Sequence, residues 1–208
     1  MVRSLSNRPK RLRRRTRNDR GDVRSGGNLR EQILSAAASC FRERGIKATK
    51  MQEIAKRAGI SVGNFYNYFE NKDAIIDEFA QREVARLARE IDEIVNGRVS
   101  LEEQRRQFRE SLRKQLAVQR ARVKIEILEE AARNSSMGEI VKRSDAQVRE
   151  LIKKMHRSRS SAEVSDEEIE VMVEMDMALV DGMAFRLIAH PELDIERMIN
   201  AIVKTVIR

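Results

Sequence analysis

Apolar residues along this chain recur every three to four positions, and the every-second alternation of a half-buried strand does not recur anywhere. After Asn28, a capping residue, Leu29, Ile33, Ala37, Cys40 and Phe41 share one helical side, and Gly45 is placed to end that helix in a left-handed conformation. A shorter helix over 50–58 follows, with Thr49 and Gln52 as a Thr-x-x-Gln capping box and Gly59 as its stop. Ser61 caps a third helix of about six residues, and Asn71 caps a fourth that runs to about Asn96. Ser100-x-x-Glu103, Ser136-x-x-Glu139 and Ser165-x-x-Glu168 are further capping boxes, each before an amphipathic run.

The later runs differ in how many sides are apolar. Met137, Ile140, Val141, Ser144, Val148, Leu151, Ile152 and Met155 keep one stripe, as do Ile195, Met198, Ile199, Ile202, Val203 and Val206. Residues 166–189 carry two: Ile169, Met172, Val173, Val180, Met183 and Leu187 on one side, Met175, Leu179, Gly182 and Phe185 on another. A helix apolar on two faces is buried on two faces, here against its own bundle and against a second copy of the chain. The expected homodimer interface is Leu179, Gly182, Phe185, Met198, Ile199 and Ile202.

Composition supports an all-α fold. Two prolines and nine glycines in 208 residues leave few helix breakers. Of the formal net charge of +9, residues 1–27 hold ten Arg or Lys against Asp19 and Asp22, leaving the remainder of the chain close to neutral. Such a segment has too little apolar surface to fold alone. It reads either as a flexible arm lying on phosphates or as a solubilising extension. No apolar run approaches membrane-spanning length and no signal peptide is evident, so the expected location is the cytoplasm, with no membrane partner. Cys40, the single cysteine, shares the apolar face of its helix and reads as core. His156 and His190 stand alone, no metal-ligand spacing is present, and no phosphate-cradling glycine loop exists. The expectation is a protein without cofactor or metal, and not an enzyme.

Residues 49–69, TKMQEIAKRAGISVGNFYNYF, have the plan of a helix-turn-helix, whose second helix enters the major groove of DNA. Met51, Ile54, Ala55, Ala58, Ile60, Val62 and Phe65 can hold the two helices together, leaving Lys50, Gln52, Ser61, Asn64, Tyr66, Asn67 and Tyr68 outside. Gly63 allows close backbone approach, at about 1 kcal/mol relative to Ala. Asn64 matches the donor–acceptor edge of adenine. Tyr66 and Tyr68 can donate to phosphates or pack in the head; Lys72 sits where a helix N-terminus and an ammonium can meet one phosphate.

From Arg30 to about Ile76 the sequence resembles the N-terminal domain of the TetR-type regulators, in the AGIS turn, GNFYNYF and NKDAII, with Ala55, Ala58, Gly59, Ser61, Gly63, Tyr66, Phe69 and Lys72 matching its pattern. The resemblance implies phosphate contacts by Tyr66, Tyr68 and Lys72, and base contacts from Val62, Gly63 and Asn64. Two positions depart. Lys50 stands where the family usually has a Ser or Thr cap, which points the cap to Thr49, and Asn67 stands where an aromatic or His is common. Residues 124–135 are similar to a segment of the choline- and glucuronide-responsive branches, and 178–188 to a dimerisation helix; no ligand is carried over from either.

The expected organisation is a basic arm at 1–27, a DNA-binding head at 28–75, and a ligand-binding and dimerisation body at 76–208. DNA-contact candidates are Thr49, Lys50, Gln52, Ser61, Val62, Gly63, Asn64, Tyr66, Asn67, Tyr68 and Lys72. Candidates for a pocket holding an unidentified small-molecule effector are Phe108, Leu112, Glu126, Met155, Met172 and Asp176. Asp176 interrupts an apolar stripe and needs a partner, expected to be Arg or Lys. Glu126, Glu130 and Arg133 read first as intrahelical ion pairs. The functional reading is a repressor released from a double-stranded DNA operator by the effector. The alternative is an architectural or partner-controlled DNA-binding protein with no metabolite.

Overall fold

The structure, a computed structural model, describes residues 22–160 and 164–207; the arm's first 21 residues lie outside that range. The described residues form helices and connecting turns only: α1 (Asp22–Arg44), α2 (Met51–Arg57), α3 (Val62–Tyr66), α4 (Lys72–Val95), α5 (Leu101–Gln115), α6 (Val118–Ala131), α7 (Ser135–Arg159), α8 (Asp166–Ala189) and α9 (Ile195–Val206). The described residues are all-α, with a helix-turn-helix head on a larger helical body. No described helix is long and apolar enough to cross a membrane.

Local chemistry explains most helix ends. Ser61, Asn71, Ser100 and Asp194 accept the N–H of the third residue beyond, at 2.9–3.2 Å. Ser165 and Glu168 form a complete reciprocal box. Gly45 and Gly59 have φ of +80° and +68°, the left-handed region open to glycine. After Gly59 the N–H of Ile60 reaches back to Ala55, and that of Gly59 to Lys56, closing two of the carbonyls the helix end leaves free.

Three expected starts are corrected. α1 already runs through Gly26 and Gly27, so Asn28 is inside it and caps nothing; glycine weakens a helix without forbidding one. The α2 cap is Lys50, which has no acceptor to offer; the Glu53 carboxylate accepts the Lys50 N–H at 3.0 Å instead. Thr49 lies one residue too early, is only 2% exposed, and donates its hydroxyl to the Gly45 carbonyl at 2.6 Å. The α7 cap is Asn134, whose amide oxygen accepts from Ser136 and Met137, so Ser136 sits within the first turn.

The head core gathers Ile33, Ala37, Phe41, Ile54, Ala55, Phe65, Phe69, Ile75 and Ile76 from α1 to α4. The expected division at 75/76 falls inside the continuous α4. Two body helices also pack on this core: Met137 of α7 is buried in it, and Val123, Ile127 and Ala131 of α6 lie against it at four-residue spacing. Arg30 holds α1 to α4, with its guanidinium 2.6 Å from Glu78 and 4.5 Å over the Phe69 ring.

A second core joins Leu112 and Leu116 to Ala184, Leu187, Ile199, Ile202 and Val203. Ile199 and Ile202, expected at a dimer interface, are therefore buried inside one chain. α9 carries a single apolar stripe, and α5 and α8 of the same chain already cover it.

Candidate nucleic-acid interface

The two halves of the helix-turn-helix meet through Ile54, Ala55, Ala58 and Phe65, all essentially without exposure, with Ile60 half-buried beside them. Gln32 of α1 donates to the Ala58 carbonyl at 2.9 Å and ties the turn to the rest of the head. This packing turns Lys50, Gln52, Ser61, Val62, Gly63, Tyr66 and Asn67 to solvent, with Asn64 half-buried at the edge of that face. A Cβ added at Gly63 would meet nothing among the described residues. No described residue therefore requires glycine there, although it weakens a five-residue helix.

The two tyrosines divide between the two readings left open. Tyr66 is 47% exposed, its ring edge-on to Phe65 at 6.0 Å. Tyr68 is half-buried against the head core, and its carbonyl accepts from Arg30.

Two expected contact residues face elsewhere. The buried Thr49 hydroxyl serves the α1–α2 turn and is not presented outward. Lys72 directs its ammonium into the same turn, donating to the carbonyls of Ile46 at 2.7 Å, Thr49 at 3.3 Å and Lys47 at 3.4 Å. Those carbonyls lie between two helices and have no ladder to join, so the ammonium satisfies them.

In the body, the six pocket candidates do not converge. Leu112 is fully buried in the second core with Phe108 against it, Met172 is exposed, and Met155 is half-buried on α7. Glu126 is not in the body interior at all. Its carboxylate accepts the N–H groups of Ile46 and Lys47 at 2.6 and 3.3 Å, which corrects both the pocket assignment and the simple intrahelical pair. Arg133 pairs instead with Glu129 at 2.9 Å and more loosely with Glu130 at 3.7 Å.

Asp176 finds a partner, but the partner is His156 of α7, with Nε2 2.9 Å from the carboxylate. Nothing in the spacing of two residues on different helices could have paired them. Partial desolvation lowers the solvent-exposed Arg159 guanidinium from its ordinary value, and the charge of Asp176 opposes that shift. Arg159 also bonds Gln104 of α5, and one turn along α5 the Gln107 amide oxygen is buried without a partner among the described residues. Across α4, burial pushes the Glu83 carboxyl up, but Arg86 and Arg120 outweigh it and hold the group below its ordinary range. Arg86 reaches the buried Ser111 of α5 at 3.3 Å. α5 is thus linked to α4 and α7 by long polar side chains.

One apolar surface is left uncovered. Val171, Met172, Met175, Leu179 and Phe185 of α8 are 36–66% exposed, and a Cβ on the neighbouring Gly182 would meet nothing. Leu179, Gly182 and Phe185 keep their expected outward position. Met198 is half-buried on α9, whose outer side carries Glu196, Arg197, Asn200 and Lys204.

Residues 33–79 match the model of the bacterial regulatory proteins of the tetR family. The transcriptional repressor KstR2 of Rhodococcus jostii is 39% identical over 57 residues, which are 27% of this chain and 28% of that protein. The curated relatives are thus matched over only about a quarter to a third of their length. Solved structures extend the likeness in fold. A TetR transcription regulator from Haloarcula marismortui superposes with a TM-score of 0.66 at 18% identity, covering 86% of this chain and 95% of that one. Thermus thermophilus FadR, a TetR-family repressor solved with lauroyl-CoA, superposes with a TM-score of 0.58 at 22% identity, covering 85% and 92%.

Proposed function

We propose that this chain, whose residues 33–79 match the tetR family model and whose fold superposes on TetR-family structures, is a cytoplasmic, homodimeric transcriptional repressor of that family that leaves its operator when a small molecule binds the body. The observation that carries the DNA-binding part is the outward face of α3. Val62 and Gly63 stand exposed at its start with Asn64 at their edge, and nothing among the described residues gives Gly63 a reason to be glycine. Asn64 reads a base edge, while Lys50, Gln52, Ser61, Tyr66 and Asn67 flank it and fix register on phosphates.

The dimer reading rests on the uncovered face of α8. An apolar stripe of this length on a soluble chain marks a contact surface, and a second copy meeting it about a twofold axis covers both stripes at once. Two heads then read two half-sites on one face of the duplex. A metabolite-responsive body is supported by FadR holding lauroyl-CoA on the same fold. Within this body the Gln107 oxygen, which lacks a donor among the described residues, and the His156–Asp176 pair favour a ligand with hydrogen-bonding groups.

The decisive experiment sequences the DNA that the protein retains from its own genome, then screens metabolites by thermal shift with and without that DNA. The expected result is a palindromic site of two half-sites and a saturable stabiliser that lowers DNA affinity. Retention of DNA without sequence preference would overturn the repressor reading. A specific site combined with no stabilising metabolite would favour control by a protein partner.

A further inference from the structure

We propose that Glu126 is a positioning residue for DNA binding: its carboxylate latches body helix α6 to the turn that enters α2, so that displacement of α6 is transmitted to the recognition unit. This rests on the DNA-binding reading above.

The turn at 45–50 is held from two sides by opposite charges. From the body, one Glu126 oxygen takes the N–H groups of Ile46 and Lys47, which no helix ladder satisfies. From the start of α4, the Lys72 ammonium takes the carbonyls of Ile46, Lys47 and Thr49. Donors and acceptors of the same short segment are thus answered by side chains 80 and 26 positions away. Gly45 completes the fit. Its φ of +80° suits glycine, and a Cβ there would overlap the Glu126 carboxylate.

α6 is placed to pass on a displacement. One of its sides lies on the head core through Val123, Ile127 and Ala131. Lys124 pairs with Asp181 on α8, beside the uncovered stripe. Beside the latch lies a charged cleft of about 120 Å³ lined by Lys72, Asp73, Glu126, Glu130 and Met137, so the head and α6 are not packed solidly together there. Movement of α6 relative to α1 stretches or breaks the Glu126 bonds to the Ile46 and Lys47 amides, the shorter of 2.6 Å and charge-assisted, and leaves Lys72 of α4 as the remaining side-chain hold on the entry to α2.

Hydrogen exchange of the full chain tests the latch without DNA. In Glu126→Ala, amides at 46–47 should exchange roughly ten- to a hundredfold faster, as loss of a hydrogen bond to a charged group implies. Peptides from α5 and α9 should be unchanged, and Glu126→Gln, which keeps an acceptor, should recover part of the protection. Glu129→Ala, an exposed neighbour on α6 paired with Arg133, is the control and should leave 46–47 as in the parent.

On DNA selected by the parent, Glu126→Ala should lose about tenfold in affinity with an unchanged slope of log affinity against log salt. Lys72→Met should do the same; a slope reduced by about 0.9 would put its ammonium on a phosphate and overturn its part in the latch. Unchanged exchange at 46–47 in Glu126→Ala, or equal loosening in Glu129→Ala, would overturn the proposal. A parent that selected no DNA would sink the DNA-binding reading instead, a different failure.

Discussion

Phe185→Glu tests the assembly most directly. Phe185 is 49% exposed on the outward side of α8, beside Leu179 and the open Gly182. A phenylalanine buries on the order of 200 Å² when fully covered, so about 100 Å² of this ring awaits a partner. At about 25 cal/mol per Å² that is about 2.5 kcal/mol for each copy. A twofold interface contains the residue twice, which makes the loss about 5 kcal/mol, and burying two like charges adds to it. At 1.4 kcal/mol per decade the dimer constant should weaken by at least about a thousandfold. Sedimentation velocity over a dilution series reads this directly, with helical content and thermal unfolding as the check that the fold persists. A variant that dissociates within tenfold of the parent's concentration would refute the assignment of this face. So would a monomeric variant that binds the full operator as tightly as the parent.

Other outcomes are expected from smaller changes. Asn64→Ala should relax preference at one position of each half-site by about 1–3 kcal/mol on a randomised operator library, while affinity for non-specific DNA stays the same. Removal of residues 1–21 should leave thermal stability intact and lower the salt slope by about 0.9 for each phosphate that the segment neutralises; an unchanged slope would make it a solubiliser. The Arg30 guanidinium hydrogen-bonded to Glu78 holds that carboxyl below its ordinary value of 4.5. A depressed folded value means stability that is present above about pH 4.5 and lost as pH falls through the folded value. Glu78→Gln should therefore unfold at lower temperature than the parent at pH 7 and show a shallower loss on acidification. The effect is modest because the Arg30 side chain is 40% exposed.

Chemistry that acts within about four residues was legible along the chain. The caps at Ser61, Asn71, Ser100 and Ser165, the left-handed Gly45, the stop at Gly59, and the two-helix plan around it need only neighbouring side chains and backbone. Even there, competition between adjacent candidates was decided elsewhere: Thr49 turned inward because the Gly45 carbonyl needed a donor, and the cap fell to Lys50. The outward stripe of α8 was also legible, since two apolar sides on one helix require two partners. Which partner covers a stripe is a different matter. A periodic pattern states that a face is buried and carries no address, so the α9 stripe, with Ile199 and Ile202, could close on its own chain or on another until α5 and α8 were seen to cover it. The same holds for charge. Glu126 with the amides of Ile46 and Lys47, Lys72 with their carbonyls, and His156 with Asp176 join residues 20 to 80 positions apart. Only the packing of α4 and α6 on the head turn, and of α7 on α8, brings those groups within hydrogen-bonding distance, because the bonds are short-ranged while the chain between them is not.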